Sequence, residues 1–287
     1  MRMVASSIEH PAVLRALDYW EAQGFVITLV NPDETGVVSA RAIETVLDDD
    51  VCFVSVMTAN NETGILQPVA EIAQVAHAAG SLLPYRCRAG GWARAPRCRS
   101  VGGRYAVDFG AQVPWPQGGR RVGMPYARGR RAYRVRRRSR AWPPFGHGNV
   151  PGIVGLAAAL EERAKPWRDA AHVRDLRDRL EEQFEQIEGA YVVGKAAPRV
   201  PGISNVCFEG LDHQVLIPLL DARGVCASAG SACSAGAVKT SHVLRAMGVS
   251  ESFAKGAVRF SFSVDTTQED GDAAAAAMHE IAVSLKR

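Results

Sequence analysis

Apolar positions recur at helical spacing over residues 11–23, where Val13, Leu14, Leu17 and Trp20 form one stripe. A β-rich run follows at 25–30, bounded by Gly24 and Asn31-Pro32. Ser39 is placed to cap a helix running through Leu47. Residues 51–57 are almost continuously apolar, as in a strand covered on both faces. A helix is expected over 67–79, with Pro68 in its first turn and Gly80 at its end, and Ser81 opens a further strand. Strands alternating with helices imply a parallel sheet with right-handed crossovers.

The pattern stops at residue 84. Residues 84–146 have neither period, and the basic run 134–140 offers no face to a core. Order returns at 149. A long helix is expected over about 153–187, a strand at 203–208, a helix at 212–223 closed by Gly224, and a short strand at 225–228. A helix at 241–247 closed by Gly248 and a strand at 258–262 come next. The run 266–269 reads as a capping box for a last helix, with Ala274, Met278, Ile281 and Leu285 facing inward.

The net charge of +4 conceals a segregation. Residues 84–146 hold sixteen of the arginines, no lysine and one acid, Asp108, a balance of +15; the remainder has 18 basic and 29 acidic residues, or −11. Three of the five tryptophans lie in the same segment. An ordinary globular domain does not divide its charge in this way. No run of about eighteen apolar residues occurs and the first residues lack a signal-peptide core, so neither a membrane span nor secretion is expected. The six cysteines follow no disulfide framework and no zinc spacing, which points to free thiols in a reducing cytosol and to no metal site. Cys52, Cys207 and Cys226 are expected in the core, and His213 and His242 in structural or exposed positions.

Two loops carry candidate chemistry. Asn60-Asn61-Glu62-Thr63-Gly64 follows a buried parallel strand, at the sheet end where open α/β folds bind ligands, although the same residues also make an ordinary polar turn. The loop 229–236, Ala-Gly-Ser-Ala-Cys-Ser-Ala-Gly, surrounds Cys233 with small residues. Such a loop lets a thiol reach a substrate, or simply accommodates a small buried cysteine.

Together with Glu9-His10-Pro11-Ala12-Val13-Leu14, Asn149-Val150-Pro151-Gly152-Ile153-Val154-Gly155, Ser241-His242-Val243-Leu244-Arg245-Ala246-Met247-Gly248 and Val258-Arg259-Phe260-Ser261, these blocks resemble, in order, the cysteine desulfurases of the class V aminotransferase group. The resemblance covers about 1–83 and 149–287. It implies the pyridoxal 5′-phosphate (PLP) dependent transferase fold type I. Residues 1–148 would form an incomplete large domain with a parallel-type sheet, and 149–287 a linking helix and a smaller α/β domain. It also implies roles. His10 would stack on the PLP ring and shuttle protons, Asn61 would lie beside cofactor and substrate carboxylate, and Arg259 would clamp that carboxylate. Cys233 would take sulfur from L-cysteine as a persulfide, leaving alanine, with PLP as electron sink. The persulfide would pass to a sulfur acceptor or iron–sulfur scaffold protein, and the enzyme would be a cytoplasmic homodimer. The residue readings that compete are simpler: His10 as a helix cap and Arg259 as the partner of a surface acid.

Parts of the family pattern are absent. The N-terminal section with the phosphate-cup threonine is missing, and the Gly-Thr before the long helix reads Gly146-His147-Gly148. The ring-contacting Asp and Gln and the Ser-x-His-Lys segment with the cofactor lysine should follow Leu83. The five lysines, Lys165, Lys195, Lys239, Lys255 and Lys286, all stand in other contexts. The missing pieces return one base out of register. Codons that encode residues 84–91 can be slid to read Arg-Thr-Asp-Ala-Val-Gln-Ala-Gly. Those for 105–118 slide to Met-Leu-Ser-Ile-Ser-Ala-His-Lys-Phe-His-Gly-Pro-Lys-Gly. The codons are chosen, but the amino acids largely dictate each middle base. Out-of-frame reading of GC-rich DNA, from near Leu83 to near Asn149, also accounts for the arginine and tryptophan excess. Three rivals stay open: a selenocysteine lyase, an inactive remnant that only dimerises or binds a carrier, and an arginine-rich nucleic-acid-binding protein using residues 134–140. With no apolar period in its centre, the chain is expected to show a broad, uncooperative thermal transition, which scanning calorimetry checks.

Overall fold

The apolar run at 51–57 forms a strand buried between two layers, and the sheet grows outward from it. The computed structural model describes residues 1–81, 84–86, 105–109, 120–123, 154–155, 158, 169–230 and 240–286. In chain order the first part contains β1 (Arg2–Ser6), α1 (Pro11–Ala22), β2 (Val26–Val30), α2 (Ala40–Glu44), β3 (Val51–Met57) and α3 (Val69–Ala78). Three short strands follow, β4 (Pro84–Arg86), β5 (Tyr105–Phe109) and β6 (Arg120–Gly123). The second part contains α4 (Asp169–Phe184), β7 (Ala190–Val192), β8 (Ile203–Phe208), α5 (His213–Asp221), α6 (His242–Ala246), α7 (Glu251–Ala254), β9 (Ala257–Ser261) and α8 (Gln268–Leu285).

The larger sheet has the order β2-β1-β3-β4-β5-β6, parallel except for the last pair. The smaller sheet, β7-β8-β9, is antiparallel. This is the α/β architecture expected from the alternation of elements. One core lies around β1, β3 and α3, with Val4, Val54, Val56 and Ile72 fully buried. A second lies between the small sheet and α4, α5 and α8, around Phe184, Phe208, Leu216 and Met278. Val243 and Leu244 of α6 belong to the first core, so this helix of the second part packs onto the first.

Local chemistry explains most boundaries. Ser39 Oγ accepts the Ala42 N–H and starts α2, as its sequence position implies. Several expectations need correction. The box on α8 is formed by Thr267 and Asp270 rather than one residue earlier, because both reciprocal bonds close only there. Leu285, in the last turn of α8, and Trp20 are exposed, and Trp20 lies edge-on to Phe25. Residues 225–228 form no strand; only Ser228 bridges, to Arg259. Cys226 is exposed and Cys52 only partly buried, while Cys207 is fully buried. Residues 154, 155 and 158 are helical, as the long helix requires, but its middle lies outside the described residues. Periodicity did not reveal β1, β7 or α7, which are too short to carry a period.

A buried ion pair ties α4 to the segment before β8. Arg199 meets Glu181 through both oxygens, at 2.7 and 2.8 Å, with both side chains under 5% exposed. Arg177, also buried, donates to the Val200 carbonyl. Replacing Glu181 by Ala leaves a buried, unmatched guanidinium. The variant is expected to lose about 3–5 kcal/mol of local stability, read as lost amide hydrogen-exchange protection in β8 and β9. Replacing Glu181 and Arg199 together by apolar residues is expected to cost far less. Burial pushes the Cys207 thiol up to about 12, against 9.0 for a free thiol. The unfolded chain therefore ionises first, so this contribution is complete below pH 9 and is lost as pH rises toward about 12. At pH 8, thiol labelling followed by peptide mapping is expected to modify Cys226 and spare Cys207.

Candidate functional site

β1 and β3 are neighbours, so the loops leaving their carboxyl ends meet. The first brings Glu9 and His10, the second Asn60 to Gly64. Asn60 builds the second loop. Its side-chain oxygen accepts the N–H groups of Glu62 and Thr63 at 2.8 and 3.1 Å, and its amide donates to the Ile8 carbonyl at 3.1 Å. Gly64 closes the turn at φ +77°, where a Cβ would also stand 3.1 Å from Ile203.

The small sheet closes over this loop. Arg259 Nη1 donates to the Asn61 carbonyl at 2.8 Å, and Asn205 Nδ2 donates to the Glu62 carbonyl at 3.2 Å. The Val200 N–H donates to the Gly64 carbonyl at 2.9 Å. From α6, His242 Nε2 lies 2.9 Å from the Glu9 carbonyl, and Ser241 Oγ donates to Glu62 Oε2 at 2.5 Å. Asn60, Asn61, Glu62 and Glu9 are all buried, and His10 and Arg259 partly so.

Three of the four residues singled out in sequence are thus brought to one place. Asn61 and Arg259 are in direct contact, and His10 stands on the adjoining loop. His10 is also the N-cap of α1, its Nδ1 accepting the Ala12 N–H at 3.1 Å. In a neutral ring this leaves the proton on Nε2. The capping and chemical readings of His10 are therefore compatible. Arg259 bonds to a backbone carbonyl of the site rather than only to an acid at the surface. Cys233, the fourth residue, lies outside the described residues, as do the Arg-rich run 134–140 and the block 149–153. Sequence reasoning missed Glu9, Glu62, Asn205 and Ser241 as members of the cluster. Glu62 stood inside a recognised motif; Asn205 sits in an apolar strand with no signal of its own.

A cofactor of the PLP class needs polar partners and, for covalent attachment, an amine. The first need is met in part: Ser6 Oγ, Ser7 Oγ, Ser228 Oγ and Asn205 Oδ1 are buried without hydrogen-bond partners around the same strand ends. The second is not. Among the described residues, Lys195 is held by Glu185, Lys255 by Glu251 and Lys286 by the Glu188 carbonyl. No described lysine bonds to the cluster, so these residues do not fit a covalently held PLP.

The family profile described as Aminotransferase class-V matches residues 2–84 and 108–273. A cysteine desulfurase of Klebsiella pneumoniae is 33% identical over 304 aligned residues, covering 99% of this chain and 72% of that protein. One of Gluconacetobacter diazotrophicus is 36% identical over 309, covering 99% and 72%. A solved NifS-like protein superposes with a TM-score of 0.82 at 27% identity, over 99% of this chain and 75% of that one. The order of the two sheets, the loop cluster at the ends of β1 and β3 and these likenesses agree: the chain belongs to the aminotransferase class-V family.

Proposed function

We propose that this chain is a cysteine desulfurase read one base out of register over about residues 84–148, and that as written it does not release sulfur from L-cysteine. The single observation that carries this is the lack, among the described residues, of a lysine amine bonded to a site otherwise built from matching family residues. Three further facts support it. The profile match breaks at residues 85–107, where the shifted reading places the Asp and Gln of the family, and it resumes at 108. The arginine excess occupies the same stretch. The strand β5 ends at Phe109, three residues before the codons that spell the shifted lysine.

In the restored protein PLP would supply the electron sink for breaking the carbon–sulfur bond of cysteine. His10, its proton on Nε2, would lie against the ring. Asn61 and Arg259 would hold ring and substrate carboxylate; their mutual bond sets the distance between them. Cys233 would accept the sulfur and pass it to an acceptor or iron–sulfur scaffold protein, in a cytosolic homodimer. None of this requires the basic segment as translated.

The purified chain is expected to show no bound-PLP absorbance and to yield neither sulfide nor alanine from L-cysteine. The gene restored by deleting one base at codon 84 and inserting one near codon 149 is expected to show both. PLP absorbance with sulfide release from the uncorrected chain would refute the proposal, as would a nucleotide sequence lacking the lysine in every frame. In the restored enzyme, Arg259→Lys is expected to raise KM for cysteine on the order of tenfold, since a planar bidentate donor is lost.

A further inference from the structure

Asn205 stands in the middle strand of the small sheet, in one run with Ile203, Val206 and Cys207, yet it is polar and fully buried. Its Nδ2 donates to the Glu62 carbonyl at 3.2 Å. Its Oδ1 is buried and, among the described residues, accepts no hydrogen bond. A residue present only to stabilise a core would not leave that oxygen unmatched, because burying a bare acceptor carries a cost that leucine would not incur.

The strand register fixes what the amide faces. Arg259 of β9 is its cross-strand neighbour. Arg259 exchanges both backbone hydrogen bonds with Ser228, at 2.7 and 3.1 Å, and the Asn205 carbonyl accepts the Val193 N–H at 2.9 Å. The two backbones therefore turn their polar groups away from each other. That makes Asn205 and Arg259 a non-hydrogen-bonded pair, the kind in which opposed side chains approach most closely. Both side chains reach the loop 60–64, where Arg259 Nη1 donates to the Asn61 carbonyl at 2.8 Å. Two neighbouring side chains of the small sheet thus hold two successive carbonyls of the loop.

Charge at position 205 decides whether that arrangement survives. An aspartate has the shape of asparagine but, when ionised, has acceptors and no donor. At so short a cross-strand distance it would draw the Arg259 guanidinium into an ion pair, and it would repel the Glu62 carbonyl. We infer that Asn205 is a positioning residue: its neutral amide holds the Glu62 carbonyl and leaves Arg259 on the Asn61 carbonyl, so that the pair fixes Asn61 and the guanidinium relative to each other. That Arg259 then meets a substrate carboxylate rests on the function proposed above. The arrangement of Asn205, Arg259 and the loop does not, so a test that uses neither cofactor nor turnover separates a failure of this inference from a failure of that reading.

The test has two readouts in the full-length chain. One is amide hydrogen exchange at residues 62–65, with residues 206–208 as internal control. The other is the rate at which phenylglyoxal modifies Arg259, followed by peptide mapping. Asn205→Leu, close in size but without the donor, is expected to speed exchange at 62–65 on the order of tenfold, the effect of losing one hydrogen bond, without slowing modification of Arg259. Asn205→Asp is expected to speed exchange at 62–65 as well, but to slow modification of Arg259 on the order of tenfold, because an ion-paired guanidinium is held and shielded. A residue that merely fills space would move the two rates in the same direction. Protection at 206–208 should persist in both variants. Should Asn205→Asp lose it, Asn205→Leu decides alone. Unchanged exchange at 62–65 in Asn205→Leu overturns the inference, as does a parallel rise at 206–208 in that variant. So does Asn205→Asp with 206–208 intact and Arg259 modified as fast as in the parent or faster.

Discussion

Three demands on one loop organise this molecule. The carbonyls of Asn61, Glu62 and Gly64 turn away from the sheet that carries them, and each takes a donor from the other half of the chain: Arg259, Asn205 and the Val200 backbone. Buried carbonyls left unmatched would each cost free energy comparable to a lost hydrogen bond, so the two sheets are tied to one relative placement. The buried Arg199–Glu181 pair extends that constraint to α4, because Arg199 lies in the segment that bridges to Ile65. Candidate chemistry sits where these ties converge.

The same arrangement separates what the chain can hold from what it cannot. Polar side chains gather at the ends of β1 and β3, and among the described residues no lysine bonds to them. Residues 84–146, next in the chain, are rich in arginine and tryptophan. β4 and β5 nonetheless take the sheet positions next to β3, in parallel. Backbone pairing needs little from side chains, so a strand can take its place in the order whatever side chains it carries.

Much of the fold was legible in periodicity. The apolar run at 51–57, the stripe of α8 and the cap at Ser39 all signal through local chemistry, and the structure agrees to within a few residues. Trp20 and Leu285 misled because an apolar residue on a helix marks a face but not whether a neighbour covers it. β1 and β7 were illegible because three to five residues are too few to establish an alternation.

By itself the sequence determined the α/β class and the family, and it pointed to three residues that the fold brings together, since motif order and apolar spacing are properties of the chain alone. It also carried the segregation of arginine and tryptophan into residues 84–146, which is a matter of composition rather than contacts. Only the tertiary structure decided that Arg259 meets Asn61, that Asn205 belongs to the site and that Glu62 reaches Ser241. Those contacts join residues 143 to 198 positions apart. Their geometry follows from how two sheets pack, which no local pattern encodes.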